Sequence, residues 1–273
     1  MNNIFTLASA TFREAMARKI FIMFFGISIF ILLIFIVIFS TTSVDDLTSF
    51  MRVNGEAPPD LLSEIAKGIR LLIVAPLFGF GLFLSIFSAS SFIPHMLEKG
   101  SIDLLLSKPV SRAQIIIGKF LGGFLVVLIN IAFLVGGIWI LIGLKLGIWN
   151  AEILLTILTI SFTFAVLYSL IIFIGIISQS SILAMMITYL IFIVLSPLLQ
   201  ARDQLSILFK SKFVESFMDI LYYITPKTTE LGGITNNLAV GGGIDDYQPI
   251  LSSLVFMILI LALSIITFSK KDY

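Results

Sequence analysis

With 273 residues, a net charge of +1, 59% hydrophobic residues and only 12% charged ones, the chain is excluded from the water-soluble domains, whose apolar share is nearer half and charged share nearer a quarter. A mean hydropathy of +1.13 is that of an integral membrane protein, and no basic tract invites nucleic acid. There is no cysteine, and His95 is the one histidine, which excludes disulfides, thiol catalysis and Cys- or His-rich metal centres.

Residues 3–19 read as a helix with Ile4, Phe5, Ala8, Phe12 and Met16 on one side and Arg13 and Arg18 elsewhere, the pattern of a helix lying in the membrane interface. A helix continuous with the first span shares that pattern. Residues 20–40 would be about 31 Å long against a hydrocarbon core of roughly 30 Å, so they span. Too long for a signal h-region of ~7–15 residues, the stretch is expected to be retained. Residues 41–70 carry Asp45, Asp46, Asn54, Gly55, Pro58 and Pro59 and read as a turn-rich loop with a short helix after Pro59. The second span is 71–93, where Gly79, Gly81, Ser85, Ser88 and Ala89 offer small surfaces for close helix approach.

Residues 95–114 form a structured segment between spans. Gly100 can take the left-handed conformation that closes a helix, and Ser101 can cap a new short one. Ile102, Leu105 and Leu106 share a face of that short helix, and Pro109 stops it. Ser111 and Gln114 then form an S-x-x-Q capping box, with Val110 and Ile115 at the two positions of a hydrophobic staple. A helix therefore begins near Arg112 and runs into the third span, 115–144. Gly118-x-x-x-Gly122 within it is expected to serve packing inside one subunit.

The fourth and fifth spans, 153–177 and 182–199, are separated by Ser178-Gln179-Ser180-Ser181, a tight hairpin. In the region 200–249, Phe209, Phe213, Phe217, Leu221 and Ile224 recur beside Lys212, Glu215 and Asp219, predicting an amphipathic surface helix that ends at Pro226. Gly241-Gly242-Gly243 reads as a flexible joint before the sixth span, 250–268.

Six spans put both termini on one side. Assigning that side and segment 95–114 to the cytoplasm gives nine Lys/Arg inside and eight outside, denser inside because the inner segments are shorter. The expectation is a multi-pass protein of the cell membrane with cytoplasmic termini. No Asp, Glu, Lys, Arg or His is expected in the interior of a span, which argues against a proton- or ion-coupled carrier. No phosphate-binding G-x-x-x-x-G-K-[ST], no H-E-x-x-H and no G-x-S-x-G occurs, so no catalytic residue and no metal site are assigned. Asn130, Thr156, Thr159 and Thr163 could line a path, or could bond their own and neighbouring helices as Thr commonly does in lipid. Trp149, Tyr222 and Tyr223 read as interfacial anchors.

The pattern Glu98-x-Gly100-Ser101, then Leu104-Leu105-Leu106-Ser107-x-Pro109-Val110-Ser111-Arg112, then Ile116-Ile117-Gly118-Lys119, resembles the signature of ABC-2 type transporter permeases. The resemblance extends over the whole chain, and in size and ending it is similar to permeases associated with multicopper enzyme and nitrous oxide reductase maturation. It implies an all-α integral membrane protein with six transmembrane helices, an N-terminal interfacial helix, a cytoplasmic coupling helix between spans two and three, and an external amphipathic region between spans five and six. It also implies that the coupling helix docks on a separately encoded ABC ATPase, which binds the ATP and Mg. Glu98, Lys108 and Arg112 would supply ionic contacts, Leu104, Leu105 and Leu106 an apolar plug, and Gly100, Ser101, Pro109 and Ser111 the backbone form. A second permease subunit and export are implied too. Two other functions stay open on the residues: an ATPase-coupled mechanical or assembly role on an external partner, and a nucleotide-independent carrier.

Overall fold

A computed structural model describes residues 2–17, 19–44, 46, 60–98, 100, 102, 107, 110–202, 204 and 212–271. Among them the regular elements are all helical, as hydrocarbon demands of a chain whose backbone polar groups must be satisfied without water. In order they are α1 (Asn2–Ala17), α2 (Lys19–Thr41), α3 (Leu61–Met96), α4 (Arg112–Leu146), α5 (Glu152–Ser178), α6 (Ser181–Gln200), α7 (Lys212–Ile224), α8 (Thr228–Ala239) and α9 (Gln248–Lys270). Six of them, α2 to α6 and α9, are long and apolar enough to cross a membrane. Both chain ends therefore lie at one end of the bundle, called here the terminal end, and α7 and α8 lie at the distal end.

The bundle is built around α5. Its most apolar stretch is 78% buried within the protein, against 11% for α9, so α5 is the internal helix and α9 leaves most of its surface exposed. The turns on either side of α5 are fixed by left-handed residues. Gly147 (φ +71°) closes α4 by donating to the Gly143 carbonyl, and Gln179 (φ +52°) closes α5 by donating to that of Gly175. Ser180 then caps α6 by accepting the Leu183 N–H, which makes the 178–181 hairpin as short as its sequence suggests.

The N-terminal helix packs along α4. Its contact needs the glycines: a Cβ on Gly118 would stand 2.5 Å from Leu7 Cβ, and one on Gly122 would stand 2.5 Å from Thr11 Cβ and 2.7 Å from the Ala8 carbonyl oxygen. The G-x-x-x-G pair is thus used inside the subunit. Beside it, buried Lys119 meets Glu14 at 2.7 Å, so α1 and α4 are joined by packing and by an ion pair.

Several expectations are corrected. The second span was expected at 71–93 after a loop and a separate short helix; instead α3 is one element of 36 residues, about 54 Å at 1.5 Å per residue, longer than a bilayer core. Leu61, Ile65 and Ala66 continue its buried face past the expected boundary. Ionisable side chains are also more deeply placed than the sequence suggests. Lys119 lies two turns into α4, and Arg70, only 2% exposed, lies inside α3 with the carboxylate of Glu152 as its electrostatic counterpart. Finally, region 200–249 holds a second helix, α8, packed on α3 and α5. Its Gly, Thr and Asn content hides it from hydropathy, yet the small residues allow its approach: a Cβ on Gly232 would meet the Phe78 ring at 2.8 Å.

Of the amphipathic helix expected to end at Pro226, Lys212–Ile224 is described; Phe209 lies outside the described residues, as does the Phe213 side chain. Phe217, Ile220, Tyr223 and Ile224 form an exposed apolar stripe, the arrangement of a helix resting at an interface. The triple glycine is not a free joint. Gly241 (φ +89°) and Gly242 donate to the Leu238 and Asn237 carbonyls, and Asn237 donates to that of Gly243 at 2.7 Å.

Replacing Gly122 with Val should drive α1 off α4. We expect a stability loss of about 1–3 kcal/mol from overpacking, read as a lower thermal midpoint in detergent together with faster proteolysis of the N-terminal helix. Gly136→Val, at a glycine with open space around it, should change neither.

Candidate functional site

Segment 95–111 enters α4 through the predicted cap. Ser111 is extended (φ −76°, ψ 152°); its Oγ accepts the Gln114 N–H at 3.2 Å, and the Gln114 Oε1 accepts the Ser111 N–H at 3.0 Å. Val110 packs on the core and Ile115 is buried. Gly100 has φ +89°, and Ile102 is buried with its N–H bonded to the Glu98 carbonyl. Ser101, Leu104, Leu105, Leu106, Lys108 and Pro109 lie outside the described residues. Glu98 pairs with His95 at 3.0 Å, both exposed. With Glu14, Ser91, Pro94 and Ser181, these two line an open cleft of about 450 Å³ at the terminal end.

Arg112 occupies a place that the sequence does not reveal. Its Nη1 donates to the Phe268 carbonyl at 2.7 Å, to that of Ser269 at 3.3 Å, and to that of Lys271, while the guanidinium carbon lies 5.7 Å from the Phe268 ring centroid. These carbonyls belong to the end of α9, where the last turn has no partners of its own and carries partial negative charge. Lys271 does the same for α5, donating to the Ile176 carbonyl at 2.6 Å and to that of Ile177 at 3.2 Å. The start of α4 and the ends of α9 and α5 are therefore clasped together by two cations. The available sequence signal was weak: basic residues just after the last span suit a helix C-terminus, but nothing says whose.

Behind the clasp sits Tyr168 of α5, fully buried. Its ring stacks near those of Phe120 and Phe164, at 5.8 and 5.3 Å, and its hydroxyl donates to the Lys119 carbonyl at 3.2 Å. A Cβ on Gly123 would reach this ring at 2.7 Å, so the glycine makes room for Tyr168 against α4.

The four polar residues within spans go to two different contacts. Asn130 accepts from Ser28 at 2.8 Å and joins α4 to α2. Thr156, Thr159 and Thr163 are buried, each donating to a carbonyl of α5 itself, and Thr159 also accepts from Thr235 of α8 at 2.8 Å.

At the distal end is a cluster that sequence reading reduced to an aromatic anchor. Tyr222 has the Arg202 guanidinium carbon 3.6 Å and the Lys227 Nζ 3.1 Å from its ring centroid, close cation–π distances. Lys227 also donates to the Tyr222 carbonyl, Arg202 pairs with Asp219 at 3.3 Å, and the Tyr222 hydroxyl donates to Glu230 at 2.7 Å. The Lys227 N–H bonds Ser253, which ties the cluster to α9. Burial, and then the Glu230 carboxylate, push the Tyr222 phenol up to about 12; burial holds the Lys227 ammonium below its ordinary value. Arg202, Tyr222 and Glu230 border an open chamber of about 470 Å³ with Asn237, Asp245 and Asp246.

Among known protein families, the model of the ABC-2 family transporter proteins matches residues 5–273. No curated protein matches the chain.

Two outcomes are expected from this geometry. Arg112→Ala should cost about 1.5–3 kcal/mol, the worth of hydrogen bonds to a charged donor, and raise carboxypeptidase access to the tail. Arg112→Lys should recover only part, since one ammonium lacks the planar fork. The phenol of Tyr222 is raised from 10 to about 12, so its stabilising contribution is complete below pH 10 and is lost as pH rises through about 12. Thermal midpoints measured across that window should fall less steeply in Tyr222→Phe than in the parent.

Proposed function

The chain belongs to the ABC-2 transporter family, and from that premise we propose that it is the permease subunit of an exporter driven by a separately encoded ATPase. In this reading the terminal end faces the cytoplasm and the ATPase docks on residues 95–112. Leu104, Leu105 and Leu106 insert as the apolar plug; Lys108 provides one ionic contact, and Glu98, in the cleft with Glu14, His95 and Ser181, provides another. Arg112 holds α4 to α9, so that a push on the docked segment is delivered to the bundle. ATP and Mg belong to the ATPase, and two permease copies work with two ATPases.

The observation that supports this reading is the continuity of α4: capped at Ser111, immediately after the segment, it runs 35 residues without interruption to Leu146. A helix of that length transmits displacement along its axis, about 52 Å at 1.5 Å per residue, in place of absorbing it in a loop. The ion pair and the glycine contact carry α1 along with it.

The test is affinity purification of the tagged chain in mild detergent with ATP hydrolysis assayed on the same sample. We expect a stoichiometric P-loop ATPase, reduced at least about tenfold by Leu105→Asp, equivalent to about 1.4 kcal/mol of docking energy. Arg112→Ala should retain the ATPase yet lower its turnover. A pure complex without a nucleotide-binding partner or ATP turnover contradicts the proposal.

A further inference from the structure

Two short stretches of π-helix interrupt the spans, Leu77–Gly81 in α3 and Leu190–Leu195 in α6. Such turns are wider than the α-helix on either side and are the places where a long helix most readily changes direction. Each has a proline close by, Pro76 directly before the first and Pro197 just beyond Ser196 after the second, where the missing N–H removes one more rung of the ladder.

The two π turns are side by side. Phe78 lies 6.3 Å from Phe192, ring to ring, and immediately on the terminal side Phe83 stacks flat on Tyr189 at 4.3 Å and 7°. The Tyr189 hydroxyl donates to the Phe83 carbonyl at 2.8 Å, so the contact is fastened by a backbone bond as well as by rings. Ser85 donates to the Gly81 carbonyl at the last residue of the π turn of α3. On its other side α3 faces an apolar cleft of about 100 Å³ lined by Phe24, Ile27 and Ile31 of α2 with Leu77, Phe80 and Gly81. Span two is thus pinned on one side at its weak point and has room on the other.

We infer that the paired π turns are a common hinge, at which α3 and α6 bend together and α3 moves into the cleft beside α2, with Tyr189 as the latch that holds the unbent form. The inference rests on the ATP-driven reading above, which supplies the force at the terminal end. It adds where the bundle yields: the terminal halves of α3 and α6 stay with the clasped end, and their distal halves swing.

Because the chain has no cysteine, spin labels can be placed singly or in pairs on the complete permease–ATPase complex. One pair, Leu72→Cys with Leu144→Cys, reports the distal side of the hinge; the other, Phe87→Cys with Leu125→Cys, reports the terminal side. All four residues are exposed. Between the nucleotide-free and the ATP–vanadate-trapped complex, the distal pair should shift by on the order of 2 Å or more and the terminal pair by clearly less. Tyr189→Phe, which keeps the ring stack and removes the hydroxyl, should move the nucleotide-free distal distribution toward the trapped one. Equal shifts in both pairs, or none in either, with ATP turnover intact, overturn the hinge and leave the ATP-driven reading standing. A Tyr189→Phe distribution identical to the parent overturns the latch. Loss of the ATPase and of ATP turnover from the unlabelled parent complex overturns both proposals together.

Discussion

The backbone carbonyls in the last turn of a helix are what this bundle must satisfy, and cations borrowed from other helices satisfy them. Arg112 serves the end of α9, Lys271 the end of α5, and Lys145, at the distal end of α4, donates to the Phe39 carbonyl near the end of α2. In water such carbonyls would be solvated at no cost; at the edge of hydrocarbon they otherwise stand unpaired and partly negative. A charged donor makes the stronger kind of hydrogen bond there. The consequence reaches beyond stability, because each clasp joins elements far apart in the chain. The start of α4 becomes mechanically continuous with the ends of α9 and α5.

That continuity organises the terminal end into one stiff body. Gly118 and Gly122 seat α1, Lys119 pairs with Glu14, and the Tyr168 hydroxyl reaches the Lys119 carbonyl. The distal end is fastened differently. Tyr222 gathers Arg202, Lys227 and Glu230, and Lys227 ties the corner between α7 and α8 to Ser253 on α9. Between the two fastened ends, α3 and α6 each contain a π turn. With both ends fastened, these turns are where α3 and α6 can bend.

The features legible in the sequence are those that local chemistry decides. Hydropathy finds six spans because lipid selects on composition over about 20 residues, and the S-x-x-Q box finds the start of α4 because Ser111 and Gln114 bond within one turn. What escaped reading depends on distant partners. Arg112 bonds a carbonyl 156 positions away, and no periodicity encodes that meeting. The helix Thr228–Ala239 carries too little hydrophobicity to announce itself; it is held by Gly232 against Phe78 and by Thr235 against Thr159. The first turns of α3 read as a short helix apart from the span because charged residues interrupt the apolar run, yet Ile65 and Ala66 are buried and continue the span's inner face.

In the proposed reading, force enters at the segment between α3 and α4. Ser107, exposed within that segment, gives the most direct measurement: a photocrosslinking residue placed there in otherwise unaltered native membranes. One principal adduct is expected, a P-loop ATPase, whose yield changes when ATP is trapped on it. No such adduct, together with labelling of Ser107→Cys by a membrane-impermeant maleimide from outside intact cells, would contradict both the side and the partner.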